Sequence, residues 1–248
     1  MSEVVPAATL VLFRAAESGP PEFLMLERAA AMSFAGGAMV FPGGRIDAAD
    51  IALAATLPKA PEDAAPRIAA IRETIEEAGL AIGVTPAPAS NQLTTIRQGL
   101  HAGEVLGGLL AAHGLTLALD ALTPFARWKP DLPGRVFDTH FYLACLPEEA
   151  PAPRVDRTEN VRLIWTSAAQ ALADAEAGRT RLIFPTRRNL ERLALFASHE
   201  DAVADAHAHP VETVTPWRET IDGIDYLRIP DHLGYPITRE LLETAKRA

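Results

Sequence analysis

The stretch Arg72-Glu73-Thr74-Ile75-Glu76-Glu77-Ala78-Gly79-Leu80 crowds three carboxylates into little more than one helical turn. At about 100° per residue, Ile68, Ile71, Ile75 and Ala78 form one narrow apolar stripe, and Glu73, Glu76 and Glu77 fall on the opposite side. Glu73 pairs with Glu76 at i,i+3 and with Glu77 at i,i+4, and each such pair repels by roughly 0.2–0.5 kcal/mol in an isolated helix. No lysine on this turn relieves them. Such a face suits a hard divalent cation, because Mg²⁺ is bound through a few carboxylates, waters and substrate phosphates. A merely solvated acidic face has the same pattern, so the helix alone does not choose between the two. Gly79 stands where a left-handed cap ends the helix.

The elements ahead of this helix favour the cation. Phe41-Pro42-Gly43-Gly44 follows the apolar run Ala38-Met39-Val40, which predicts a strand stopping at a tight turn without side chains. There a backbone carbonyl can approach an ion or a phosphate closely.

Strand, Gly-Gly turn and R-E-x-x-E-E-x-G-L together resemble the Nudix hydrolases, whose signature is G-x5-E-x7-R-E-U-x-E-E-x-G-U with U aliphatic. Gly44 opens the box, and Arg72, Glu73, Ile75, Glu76, Glu77, Gly79 and Leu80 match its second half. Asp50 stands where the family has its first glutamate, and the spacer runs from Ile51 to Ile71, about fourteen residues longer than seven. The extra segment, with Leu57-Pro58-Lys59-Ala60-Pro61, reads as an inserted loop over about 51–65 within a box spanning 43–80. A branch related to coenzyme A diphosphatases carries such an insertion. Arg135, Phe137, Asp138 and Thr139 resemble the R-F-D-T strand of that branch, and Leu24 to Arg28 with Gly36, Gly37 and Phe41 to Gly44 is similar to its upstream motif.

The resemblance implies metal ligation of Mg²⁺ or Mn²⁺ by Glu73, Glu76 and Glu77, with the Gly43 carbonyl adding one donor. Arg72 would hold the loop through a salt bridge to a box carboxylate, Asp50, and Gly79 would close the box. Glu159, a few residues before Trp165, joins Glu73 and Glu77 as a candidate base or water-orienting group. Arg28, Gly44 and Asp138 are candidates for the substrate. Arg187 joins them on physical grounds: a cation in the first turn of a helix opposes the dipole and is better placed beside a bound phosphate. The implied reaction is attack of water on one phosphorus of a nucleoside diphosphate linked to another group, coenzyme A or an acyl-coenzyme A leading. The alternatives are ADP-ribose, dinucleotides or nucleotide sugars, and, from another class, a catalytically silent nucleotide-binding module. The intact carboxylate trio argues against the third, and Asp50, one methylene shorter than glutamate, keeps it open.

Composition narrows the partners. At 248 residues with a formal charge of −9, the chain lacks the basic excess that a nucleic-acid polymer or anionic membrane would require. Its one cysteine, Cys145, excludes a disulfide framework within the chain. No apolar run is long enough to span a bilayer, so the cytoplasm is the expected compartment. Homodimerisation is the family's expectation.

Two β-like runs, Ala8 to Arg14 and Glu22 to Arg28, are expected to pair. Gly-rich Asn91 to His113 predicts a helix broken in two, with His101 and His113 at its surface or ends. Leu122 to Trp128 and Arg135 to Leu146 predict a hairpin, and Thr158 to Trp165 a strand leading into a helix capped by Thr166 or Ser167. The expected fold is α/β: a single Nudix-type α/β/α sandwich over 1–248, with a mixed central sheet and a C-terminal helical elaboration over about 186–248.

Overall fold

The computed structural model describes residues 3–31, 35–131, 134–156 and 160–247. In chain order the elements begin β1 (Glu3–Arg14), β2 (Glu22–Arg28), β3 (Met39–Val40), β4 (Gly43–Arg45), α1 (Ala48–Thr56), α2 (Ala64–Ala78) and β5 (Val84–Thr85). There follow α3 (Ser90–His101), α4 (Leu106–Ala112), β6 (Thr116–Leu117), β7 (Thr123–Trp128), β8 (Arg135–Cys145) and β9 (Asn160–Ser167). The remainder is α5 (Ala168–Glu176), α6 (Phe184–Leu193), α7 (His199–Ala208), β10 (Thr213–Val214), β11 (Trp217–Ile221), β12 (Ile224–Arg228), β13 (Arg239–Leu241) and α8 (Leu242–Arg247).

The central sheet is mixed. β1 runs parallel to β8 and β10 to β7, whereas β7–β8, β1–β2, β1–β4, β2–β3 and β2–β9 are antiparallel. Strand side chains alternate between faces, and both faces are apolar: Ala8, Leu10 and Leu12 join one cluster with α2, α3 and α4, while Val11 and Phe13 join another with α5, α6 and α7. Helices therefore cover both sides, the expected α/β/α order.

One irregularity makes room for the site. β1 and β2 pair with each other only at Phe13–Phe23 and Arg14–Glu22. Beyond that they diverge, and the segment Met39–Arg45 fills the fork, β3 on β2 at Leu26–Glu27 and β4 on β1 at Ala7–Thr9. The Gly-Gly turn is thus held between two strands, beneath α2.

One expectation is corrected. The insertion over 51–65 is not simply a loop, because α1 occupies Ala48–Thr56. Ala-Ala-Asp-Ile-Ala-Leu-Ala-Ala is a strong helix former, and the prolines mark only the turn behind it. Leu53 seats this helix against α4, where a Cβ on Gly107 would come within 2.8 Å of its Cδ1. Besides α6, α7 and α8, the C-terminal part carries a separate antiparallel sheet ordered β11-β12-β13. Its hairpin turns at Asp222-Gly223, both with positive φ (51° and 80°), the conformation a two-residue hairpin favours. The break between α3 and α4, the β7–β8 hairpin and the Ser167 cap, which accepts from Gln170 N–H, are as expected. None of the helices among the described residues is long and apolar enough to cross a membrane.

Candidate active site

The site grows from α2. Ile68, Ile71, Ile75 and Ala78 are fully buried against the sheet, which fixes the rotation of the helix and directs its glutamates away from that stripe. Gly79 caps it in the left-handed conformation, φ 67°. Its last carbonyls are gripped from outside the helix: Arg97 on α3 donates to the Glu76 carbonyl through Nε at 2.9 Å and Nη2 at 2.8 Å, and to the Glu77 carbonyl at 3.3 Å. A cation there meets the negative end of the helix dipole. No local pattern marks Arg97, since its partners are backbone carbonyls, of Glu76 and Glu77 about twenty residues back and of Arg154 far ahead.

Arg72 ties the two halves of the box together. Its guanidinium donates to both oxygens of Asp50, Nε at 3.1 Å and Nη2 at 2.9 Å, and Nη2 also reaches the Arg45 carbonyl at 2.8 Å. Nη1 reaches Glu73 at 2.8 Å and Glu76 at 3.3 Å. Burial opposes the Arg72 charge, but Asp50, Glu73 and Glu76 outweigh it and raise its pKa. Asp50 lies in the first turn of α1, where its Oδ2 also accepts from the Asp47 N–H at 2.9 Å. The shorter carboxylate reaches its partner because the inserted helix carries it there.

The glycines are fitted to this helix. A Cβ on Gly44 would lie 2.3 Å from Glu73 Oε1, and one on Gly43 2.4 Å from the Ala8 carbonyl oxygen. Gly43 N–H donates to Glu77 Oε2 at 2.9 Å, and Asn160 Nδ2, at the head of β9, donates to Glu77 Oε1 at 2.8 Å. Burial, then the charge of Glu73, push the Glu77 carboxyl up to about 8, against Asn160, the Gly43 N–H and Arg28. Burial also raises Glu76, against Arg72.

Among the sequence candidates, the structure brings together Glu73, Glu76, Glu77, Arg72, Asp50, Gly43 and Gly44, with Arg28 at the end of β2 close enough to act on Glu77. Asp138 is not brought to them. It lies on β8, separated from β4 by β1, and Arg127 takes both its oxygens at 2.8 Å. Its neighbours on that face lead to the start of α2, where Tyr142 donates to Asp63 at 3.0 Å. Arg187 is on α6, in the layer on the other face of the sheet, where its charge acts on Glu191. The adjacent Arg188 is buried between Glu191 and Glu240 at 2.7 and 2.9 Å. Glu159 lies outside the described residues. Asn160, one position on, was missed; its only signal is a polar residue entering an apolar strand.

With these side-chain positions, no three His, Cys, Asp or Glu groups among the described residues enclose a point where an ion could sit, because Arg72 draws Glu73 and Glu76 towards itself. The donor set nonetheless fits a divalent cation. Glu77 is a buried carboxylate destabilised by a like charge, the condition a cation relieves, and the glycine turn leaves backbone beside Glu73.

The model of the NUDT19 Nudix domain matches residues 54–193, more than half of the chain. The acyl-coenzyme A diphosphatase NUDT19 of Homo sapiens is 30% identical over 268 residues, covering 85% of this chain and 71% of that protein. Its counterpart in Gallus gallus is 28% identical over 239 residues, covering 73% of this chain. The chain spans 63% of the length of the Gallus gallus protein. A crystal structure of a Nudix hydrolase from Alicyclobacillus acidocaldarius is 28% identical, with a TM-score of 0.71 and coverage of 82% of this chain and 97% of that one.

Proposed function

The chain belongs to the Nudix hydrolase family, and from that premise we propose that it is a divalent-cation-dependent pyrophosphohydrolase of nucleoside diphosphates linked to a second group, with an acyl-coenzyme A or coenzyme A as substrate. One observation carries the reading: the Arg72 fork locks Asp50 to the catalytic helix at 3.1 and 2.9 Å while Glu77 is held against the Gly-Gly turn. The silent-module reading is kept open by Asp50, one methylene shorter than glutamate; with both its oxygens bonded to Arg72, the hydrolase reading is supported.

Glu73, Glu76 and Glu77, with the Gly43 carbonyl, would hold Mg²⁺ or Mn²⁺. Bound there, such an ion supplies charge neutralisation for the diphosphate and lowers the pKa of a coordinated water. The protein's part is positioning. Arg72 keeps Glu73 and Glu76 on one side of α2, Gly43 and Asn160 orient Glu77, and Arg28 adds positive charge close enough to act on Glu77. Gly44 lets Glu73 lie against backbone. The substrate choice is supported by the two relatives named as acyl-coenzyme A diphosphatases and by the box insertion. Homodimerisation belongs to the same reading and is checked by light scattering.

The test is incubation of the purified protein with Mg²⁺ or Mn²⁺ and coenzyme A, an acyl-coenzyme A, ADP-ribose, NADH, diadenosine polyphosphates and nucleotide sugars, with chromatography of the products. Release of 3′,5′-ADP from the coenzyme A compounds, lost in Glu77→Gln, is expected. AMP from another member would move the substrate class, and silence across the panel would overturn the hydrolase reading.

A further inference from the structure

Asn160 is completely buried, and both its backbone and side-chain nitrogens donate. Its backbone N–H donates to Asp156 Oδ1 at 3.2 Å and its Nδ2 to Glu77 Oε1 at 2.8 Å. Its Oδ1 is equally buried and accepts from no group among the described residues. A buried acceptor without a donor costs roughly 1–3 kcal/mol, so the position carries a penalty that a simple donor to Glu77 would avoid. Turning the amide over offers no escape while Glu77 is ionised, because two acceptors would then face each other. The unsatisfied oxygen belongs to the same planar amide that touches Glu77. It therefore lies beside the one carboxylate of α2 that is buried and directed at the Gly43 turn.

We infer that Asn160 is a positioning residue of the metal centre: Nδ2 fixes Glu77, and Oδ1 accepts a hydrogen bond from a water on the cation which that carboxylate helps to hold. The inference rests on the metal-dependent reading above. Metal-bound water is a strong donor, and a donor is what the buried oxygen lacks. Residues that orient ligands from behind typically cost 10–100-fold in metal affinity or activity when removed.

The experiment is titration of the full chain with Mn²⁺ alone, reading free Mn²⁺ by electron paramagnetic resonance, for wild type and Asn160→Leu, alongside thermal melts in EDTA. A folded Asn160→Leu protein is expected to bind Mn²⁺ about 10–100-fold more weakly, with kcat lowered and KM for the substrate unchanged. If leucine prevents folding, Asn160→Ala, which leaves space, is expected to show the same loss. A variant that melts cooperatively and binds Mn²⁺ as wild type does would overturn the inference while leaving the hydrolase reading in place. Wild-type protein that binds no Mn²⁺ would overturn both. A crystal structure with Mn²⁺ is expected to place a metal-bound water within hydrogen-bonding distance of Oδ1, and an Oδ1 still lacking a donor there would overturn the second half.

Discussion

At Asp50 and Arg72 a buried ion pair does two jobs, because the same guanidinium that closes on Asp50 also restrains Glu73 and Glu76. The side chains are 2% and 9% exposed, so removing one partner strands the other. Asp50→Asn should destabilise the fold by about 3–5 kcal/mol, as breaking a buried pair does, measured by urea denaturation without metal. Glu77→Gln should leave the fold intact and lower turnover on the order of 10²-fold or more, the scale of several kcal/mol of lost charge stabilisation. Wild-type rates in that variant would remove Glu77 from the site. Gly44→Ala makes a different demand: its Cβ would overlap the Glu73 carboxylate, 2.4 Å from Cδ. Loss of Mn²⁺ binding with little loss of stability is expected, since Glu73 can swing aside.

At the scale of elements, α2 is held at three places: its underside by the sheet, its middle by α1 through Asp50, and its end by Arg97. Arg97→Ala would leave the Glu76 and Glu77 carbonyls without their charged donor, a loss of about 1–3 kcal/mol. Hydrogen exchange should show faster opening of the last turn of α2, with the α6 amides unaffected. Equal protection in variant and wild type would mean that Gly79 and the sheet alone hold that end. The inserted helix α1 supports the box in the same way. It delivers Asp50, so deleting 51–62 would remove a box residue's support as well as a surface excursion.

Across the whole molecule, the two layers carry charge differently. On the α2 side buried carboxylates converge on a site, whereas on the α6 side Arg188 is neutralised by Glu191 and Glu240. Burial first, opposed by Arg188 and Arg187 and reinforced by Glu240, raises Glu191 to about 7 from an ordinary value of 4.5. Between those values the folded protein binds more protons than the unfolded chain, so this group's contribution to stability falls as pH rises through the window. Glu191→Gln should lose less stability than wild type between pH 5 and pH 8 in denaturant titrations without metal. An identical slope in both proteins would show that Arg188 fully compensates Glu191.

The sequence by itself determined the glutamate-bearing helix, its glutamate spacing, its glycine cap and the Gly-Gly turn, because these are local patterns set by helical period and by backbone that only glycine tolerates. It also determined the alternation of strands and helices that makes an α/β/α fold. Only the tertiary structure decided that Asp50 reaches Arg72, since that depends on a helix within the insertion, and that Asp138 pairs with Arg127 instead of joining the site. Arg97 and Asn160 became visible only there as well. Their partners are a helix-end carbonyl pair and a buried carboxylate far along the chain, and no local period encodes the packing that brings such groups together.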